Sequence, residues 1–307
     1  MMAEEDMLVK EKRGARVRFQ LAIVHRVCPV LAKTAAVYSD KLAMVEATTD
    51  SLAKALSGVR ARLIVLLDGC GDEYARLFDR FFANGQVPGV DYERIATDAI
   101  GNHATYRRQL ELLSEAAQEA RFLYFSEDDY IYETGAFRAM MAFLEEPGVD
   151  FVTPLDHPDS YAKDNPNVAE SIIRCSQDCH WRSVASTCCT FMLKSGTLAR
   201  AKKSLSYYAE GGTDFVMGEL LTKRDVYSAR KVLGGALRYV LTRRNWMTAI
   251  PAYSWLKLGL RLPLAPRFTI WSPMPTLAVH LCKPSLPPFS SILVPNPGDT
   301  YEGMSNG

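Results

Sequence analysis

Between Val226 and Gly298 the chain has no aspartate or glutamate, yet Arg230, Lys231, Arg238, Arg243, Arg244, Lys257, Arg261, Arg267 and Lys283 all fall there. The acids are gathered before that stretch. A formal net charge of only +1 therefore hides an acidic first part and a basic last part. So near-neutral a total speaks against a general nucleic-acid binder, and no nucleic-acid partner is expected. No uncharged apolar run reaches the length of a membrane span. The opening Met1-Met-Ala-Glu-Glu-Asp6 lacks an apolar segment of the secretory type, so no signal peptide is expected. These absences predict a cytoplasmic location, where the seven cysteines stay thiols. No C-x-x-C pair occurs. Cys175, Cys179, His180, Cys188 and Cys189 are spaced too irregularly for a zinc site and read as separate thiols. A P-loop and a G-x-S-x-G elbow are missing as well. Asp68-Gly-Cys-Gly-Asp72 lacks the third glycine of a dinucleotide fingerprint, which counts against that class.

What the chain does have is Phe122-Leu-Tyr-Phe-Ser-Glu127-Asp128-Asp129-Tyr130, an apolar run that ends in three consecutive acids. Carboxylates this close repel one another, and a cation between them relieves the repulsion. At a strand's C-terminal end in an α/β pattern they would stand where such sheets bind ligands. Hard oxygen donors there suit Mg²⁺ or Mn²⁺ held against a diphosphate, which points to a nucleotide-linked substrate. A solvated acidic turn is the plainer alternative.

Periodicity predicts strands over 17–24, 62–67, 92–96 and 121–126, with helices over 38–57, 72–83, 103–119 and 134–145. Alternation of this kind means βαβ units and a mostly parallel sheet covered on both faces. Residues 150–154 and 184–193 read as further strands, 155–180 as a long polar loop, and 214–223 as a helix capped by Thr213 or Asp214.

In layout and short motifs, residues 17–225 resemble the family 2-like glycosyltransferases of the GT-A fold, which carry a D-x-D-type motif after the fourth strand. The Glu-Asp-Asp form is similar to that of N-acetylglucosaminyltransferases. The resemblance implies metal-dependent hexosyl transfer from a nucleoside-diphosphate sugar, with Asp129 as the ligand of Mn²⁺ or Mg²⁺. Glu127 and Asp128 would serve the nucleoside, and the initial Glu leaves their division of labour open. It also implies that His25 and Arg26 begin the nucleotide pocket, and that Asp68 binds the base or ribose. Asn102 and Arg107 would contact the donor diphosphate, which a helix N-terminus and an arginine both suit. Gly211-Gly-Thr-Asp214 resembles the acceptor-side segment, making Asp214 the base of an inverting transfer, with Glu219 in reserve. His280, in an apolar strand-like run, would be a further metal ligand; a satisfied core histidine is the alternative.

Three segments follow: a catalytic GT-A domain over 15–225, a basic extension over 226–285 packed on or beside it, and a flexible tail over 286–307. Basic residues interleaved with Trp246, Trp255, Trp271 and leucines suit an anionic membrane surface, hence a peripheral position at the inner face of a membrane. They also suit attraction of an anionic donor. The acceptor is a glycan, a lipid-linked intermediate or a small molecule. Two other classes stay open. One is a nucleotidyltransferase of related fold, although His25–Lys33 is a poor match to the glycine-rich loop of those enzymes. The other is a transferase-like protein that binds without turnover.

Overall fold

The computed structural model describes residues 17–31, 38–161, 171–176, 179–224, 226–242 and 246–282. Arg243, Arg244, Lys283 and the tail over 286–307 lie outside the described residues. Four strands with long apolar runs start the sheet: β1 (Phe19–Val27), β2 (Ala61–Asp68), β3 (Val90–Thr97) and β4 (Ala120–Glu127). They lie side by side in the order β3-β2-β1-β4, all parallel.

β1, β2 and β4 are apolar almost throughout because both of their faces are covered. Alternate side chains enter different cores. Leu21, Ile23, Leu63, Val65 and Tyr124 pack beneath helices α1 (Lys41–Ala55), α2 (Asp72–Phe82) and α4 (Ala136–Leu144). Ala22, Val24, Ile64, Leu66 and Phe125 pack beneath α3 (Asn102–Ala116) and α5 (Ser195–Ala209), joined by Met217 and Leu221 of α6 (Asp214–Thr222).

Beyond β4 the sheet continues through β9 (Phe191–Lys194), β6 (Phe151–Val152), β10 (Ile270–Met274), β8 (His180–Val184) and β7 (Ile173–Cys175). Only β8 and β9 run against the rest, so the sheet is mostly parallel. A separate ribbon pairs β5 (Tyr130–Tyr132) with β11 (Ala278–His280) antiparallel. Residues 270–280 therefore return into the main body from the far end of the chain. After α6 come a π turn, Arg230–Gly234, which runs into α7 (Gly235–Thr242), a 3-10 turn, Trp246–Ala249, then α8 (Ile250–Leu258) and α9 (Arg261–Leu264).

Two expectations need correction. The run over 184–193 is not one strand. β8 ends at Val184 and β9 begins at Phe191, with irregular chain between them. Thr190 in that connection reaches Glu127, so the chain bends there to touch the acids instead of pairing throughout. Nor is 155–180 only loop: Ile173–Cys175 forms a strand against β8, while 162–170 and 177–178 lie outside the described residues.

Candidate functional site

The chain runs β1, β2, β3 outward and then crosses back to place β4 on the other side of β1. That reversal opens a crevice beyond the C-terminal ends of β1 and β4, the usual ligand position in open α/β sheets. Arg26 and Glu127 are register partners there. A cleft of about 560 Å³ occupies the crevice, and Arg26, Asp68, Asn102, Glu127, Asp128, Asp129 and His280 all line it.

Each acid of the triplet has its own basic partner. The Arg26 guanidinium donates to Glu127 Oε1 at 2.7 Å, and Thr190 donates to Glu127 Oε2 at 3.0 Å. Lys41, the first residue of α1, donates from Nζ to Asp128 Oδ1 at 2.8 Å, while the Cys28 amide donates to Oδ2 at 2.9 Å. His280 Nε2 meets Asp129 Oδ2 at 2.9 Å. Burial pushes Glu127 up, against the pull of Arg26, and pushes Asp128 up to about 6, against the pull of Lys41. Burial would also raise Asp129, but the charge and hydrogen bond of His280 bring it below the usual carboxylate range. For His280 burial acts downward, and the Asp129 charge outweighs it, so the imidazole is raised.

The sequence separation between His280 and Asp129 is closed by the β5–β11 ribbon. His280 is the register partner of Tyr130, and the Leu281 amide donates to the Asp129 carbonyl at 2.8 Å. The imidazole lies flat on the Tyr130 ring, with centroids 4.7 Å apart.

A divalent ion fits this corner. Asp129 Oδ1 and His280 Nδ1 are buried and have no hydrogen-bond partner. Among the described residues no group of three or more His, Cys, Asp or Glu side chains forms a ready cage. That is compatible with Mg²⁺ or Mn²⁺, which take one or two protein ligands and complete their shell with phosphate and water.

Asp68 is fastened to the turn that precedes α3. Its Oδ1 accepts from Thr97 Oγ1 at 2.8 Å and from the Ile100 amide at 2.6 Å, and its Oδ2 accepts from the Gly101 amide at 2.9 Å. Left-handed geometry is needed in this turn: Ala99 has φ 51° and Gly101 φ 86°. The turn aims the N-terminus of α3 at the cleft, through Gly101, Asn102 and Thr105. Asn102 Oδ1 accepts from Arg26 at 2.7 Å.

Three expected residues stand elsewhere. Arg107 is not among the cleft-lining residues, and its guanidinium donates to the Ala209 carbonyl at 2.9 Å, holding the end of α5. His25 is a buried residue of β1, with Nδ1 2.8 Å from Ser126 Oγ and its ring edge against Phe78. Burial drives its pKa down to about 3, so it is neutral. Asp214 does not line the cleft. It is the first residue of α6, capped by Thr213 Oγ1, which accepts from the Val216 amide at 3.4 Å. Burial raises the Asp214 carboxyl, and Cys188 lies within the electrostatic reach of both Asp214 and the acids Glu127 and Asp129. Glu219 is buried farther along α6.

Lys41 is the functional candidate that pattern reading misses. Its one signal was a lysine in the first turn of a helix, where the dipole disfavours a cation unless a carboxylate compensates.

No family model matches the chain, and no curated protein matches it. Solved structures do match in shape. One is S. aureus TarS residues 1–349, at 12% identity and a TM-score of 0.42, over 66% of this chain and 55% of that one. Two are of the galactosyltransferase LgtC, one in complex with donor and acceptor sugar analogues and one an active-site mutant. Both stand at 10% identity over 64% of this chain and 69% of that one, with TM-scores of 0.38 and 0.37. The chain thus spans little more than half of the TarS fragment, and a likeness at this level leaves function to be argued from the cleft.

Proposed function

We propose that the protein transfers a sugar from a nucleoside diphosphate to an acceptor hydroxyl, with a divalent ion held by Asp129 and His280. The observation that carries this reading is the orphaned Asp129 Oδ1 beside His280, at the rim of a cleft on a topological switch point. When bound, the ion supplies Lewis-acid neutralisation of the departing diphosphate. Because Arg26 and Lys41 already balance Glu127 and Asp128, the ion's positive charge is set against Asp129 alone and the remainder is available to the phosphates. The α3 N-terminus adds amide donors to the same end of the cleft. Glu127 and Asp128 serve the nucleoside side, and Asp68 holds the turn that frames it.

Asp214 is the proposed base. It takes the acceptor hydroxyl's proton as that oxygen attacks the anomeric carbon and the bond to the diphosphate breaks, inverting the configuration. Burial raises its carboxyl above the ordinary value, which makes the carboxylate a stronger base. The test is hydrolysis or transfer from a panel of nucleotide sugars with Mn²⁺ and with EDTA, using wild type and Asp129→Asn. Metal-dependent turnover that the variant loses is expected. Full turnover of the variant in EDTA would remove the metal role, and retention of configuration would remove the single displacement by Asp214.

The completed ion pairs favour a second reading, in which the cleft holds a nucleoside diphosphate without turning it over. Stabilisation by the diphosphate with no release of sugar would select it.

A further inference from the structure

Among the described residues every strongly exposed leucine lies between 233 and 264: Leu233, Leu237, Leu241, Leu256, Leu260 and Leu264. Leu233, Leu237, Val240 and Leu241 recur at helical spacing along the π turn and α7, and are 57–74% exposed. An amphipathic helix normally turns such a stripe inward. Here it faces out, because α7 is held from its other side. Gly235 lies so close to the 246–249 segment that a Cβ there would collide with the Thr248 carbonyl oxygen. Leu256 on α8, Leu260 in the joint between the two helices and Leu264 at the end of α9 are 77–80% exposed. These helices are firmly attached. Leu258 and Leu262 pack with Val216 and Leu220 of α6, and Trp255 Nε1 donates to the Val226 carbonyl at 2.6 Å.

Charge identifies what covers this face. Arg230, Arg238 and Lys257 are exposed among the leucines, and no acid occurs from Val226 to Gly298. A protein partner's groove would have to be both apolar and anionic. A bilayer with anionic headgroups is apolar below and anionic above, and basic side chains with long stems sit at that boundary. No helix among the described residues is long and apolar enough to cross a membrane, so the contact lies in the interface plane.

The geometry points to α7, α8 and α9 as a docking surface for an anionic lipid bilayer, with the leucines inserted among the acyl chains and the arginines at the headgroups. This docking does not depend on which reaction the cleft performs.

The test is co-sedimentation of the full chain with phosphatidylcholine vesicles, with and without phosphatidylglycerol, across a salt series. Partition is expected only with the anionic lipid, falling as salt rises. The variant Arg230→Gln/Arg238→Gln/Lys257→Gln changes exposed residues only and is expected to lower partition about a hundredfold, roughly fivefold per charge. Leu233→Ser/Leu237→Ser/Leu241→Ser is expected to abolish binding even at low salt with an unchanged thermal melt. Should that variant fail to fold, the glutamine variant still decides. Equal binding to neutral vesicles, or none to anionic ones, overturns the proposal. So does a dimer in light scattering that the serine variant converts to monomers, since the face would then belong to a second copy.

Discussion

Single buried side chains in and around this cleft act against strong desolvation, so their substitution should be visible in stability. Lys41 and Asp128 form a buried pair, with side chains 8% and 9% exposed. Lys41→Met leaves an uncompensated buried carboxylate, and about 3–5 kcal/mol of stability should be lost in urea denaturation. Adding Asp128→Asn should restore much of it, whereas additive losses would show that the two do not interact. His25 gives a pH signature. Its folded pKa, near 3, lies below the ordinary value of 6.5. Above that ordinary value both states are neutral and nothing is lost. As pH falls below it the unfolded chain takes up a proton that the folded chain refuses, so stability drops until pH reaches about 3. One such proton is worth roughly 1.4 kcal/mol per pH unit. The stability of His25→Gln should therefore fall less steeply than wild type over that window. Parallel slopes would mean that the ring is protonated in the fold.

At the scale of elements, α6 separates two roles that its sequence overlays. Thr213 is the cap and Asp214 follows it. Thr213→Ala should cost about 1 kcal/mol of stability and leave turnover per folded molecule unchanged. Asp214→Asn should keep stability and donor affinity but lower turnover by roughly 10²–10⁴-fold. The reverse outcome would make Asp214 structural. The same scale shows what could be read beforehand. β1, β2 and β4 were legible because continuous apolar runs flanked by helical patterns have one easy reading, and the acids at the end of β4 followed. The break inside 184–193 was not, because Cys188, Cys189 and Thr190 are as small and apolar as a strand requires, while the bend is set by contact with Glu127. Along α7 the spacing of the leucines is in the sequence, but whether they face in or out is decided by Gly235 against Thr248. Arg107 looked like a diphosphate ligand by position; its length and direction along α3 carry it to the end of α5 instead.

For the whole molecule, the telling fact is that β10 sits between β6 and β8. A chain ending at residue 225 would lose that strand and leave both β6, with Phe151, and β8, with Trp181, unpaired on the side that β10 now fills. Such a truncation should give no cooperative thermal transition. A sharp melt close to that of the full chain would show that the first 225 residues form an independent body.

The β5–β11 ribbon also imposes an order on synthesis. Chains fold from their N-terminus as they leave the ribosome, and β1 to β4 can assemble early. His280 must emerge before Asp129 acquires its imidazole, so a nascent chain carries the three carboxylates long before it carries the group that completes them. A half-made molecule therefore carries the acids without the ribbon beside them, and the corner around Asp129 closes only once residue 280 has emerged.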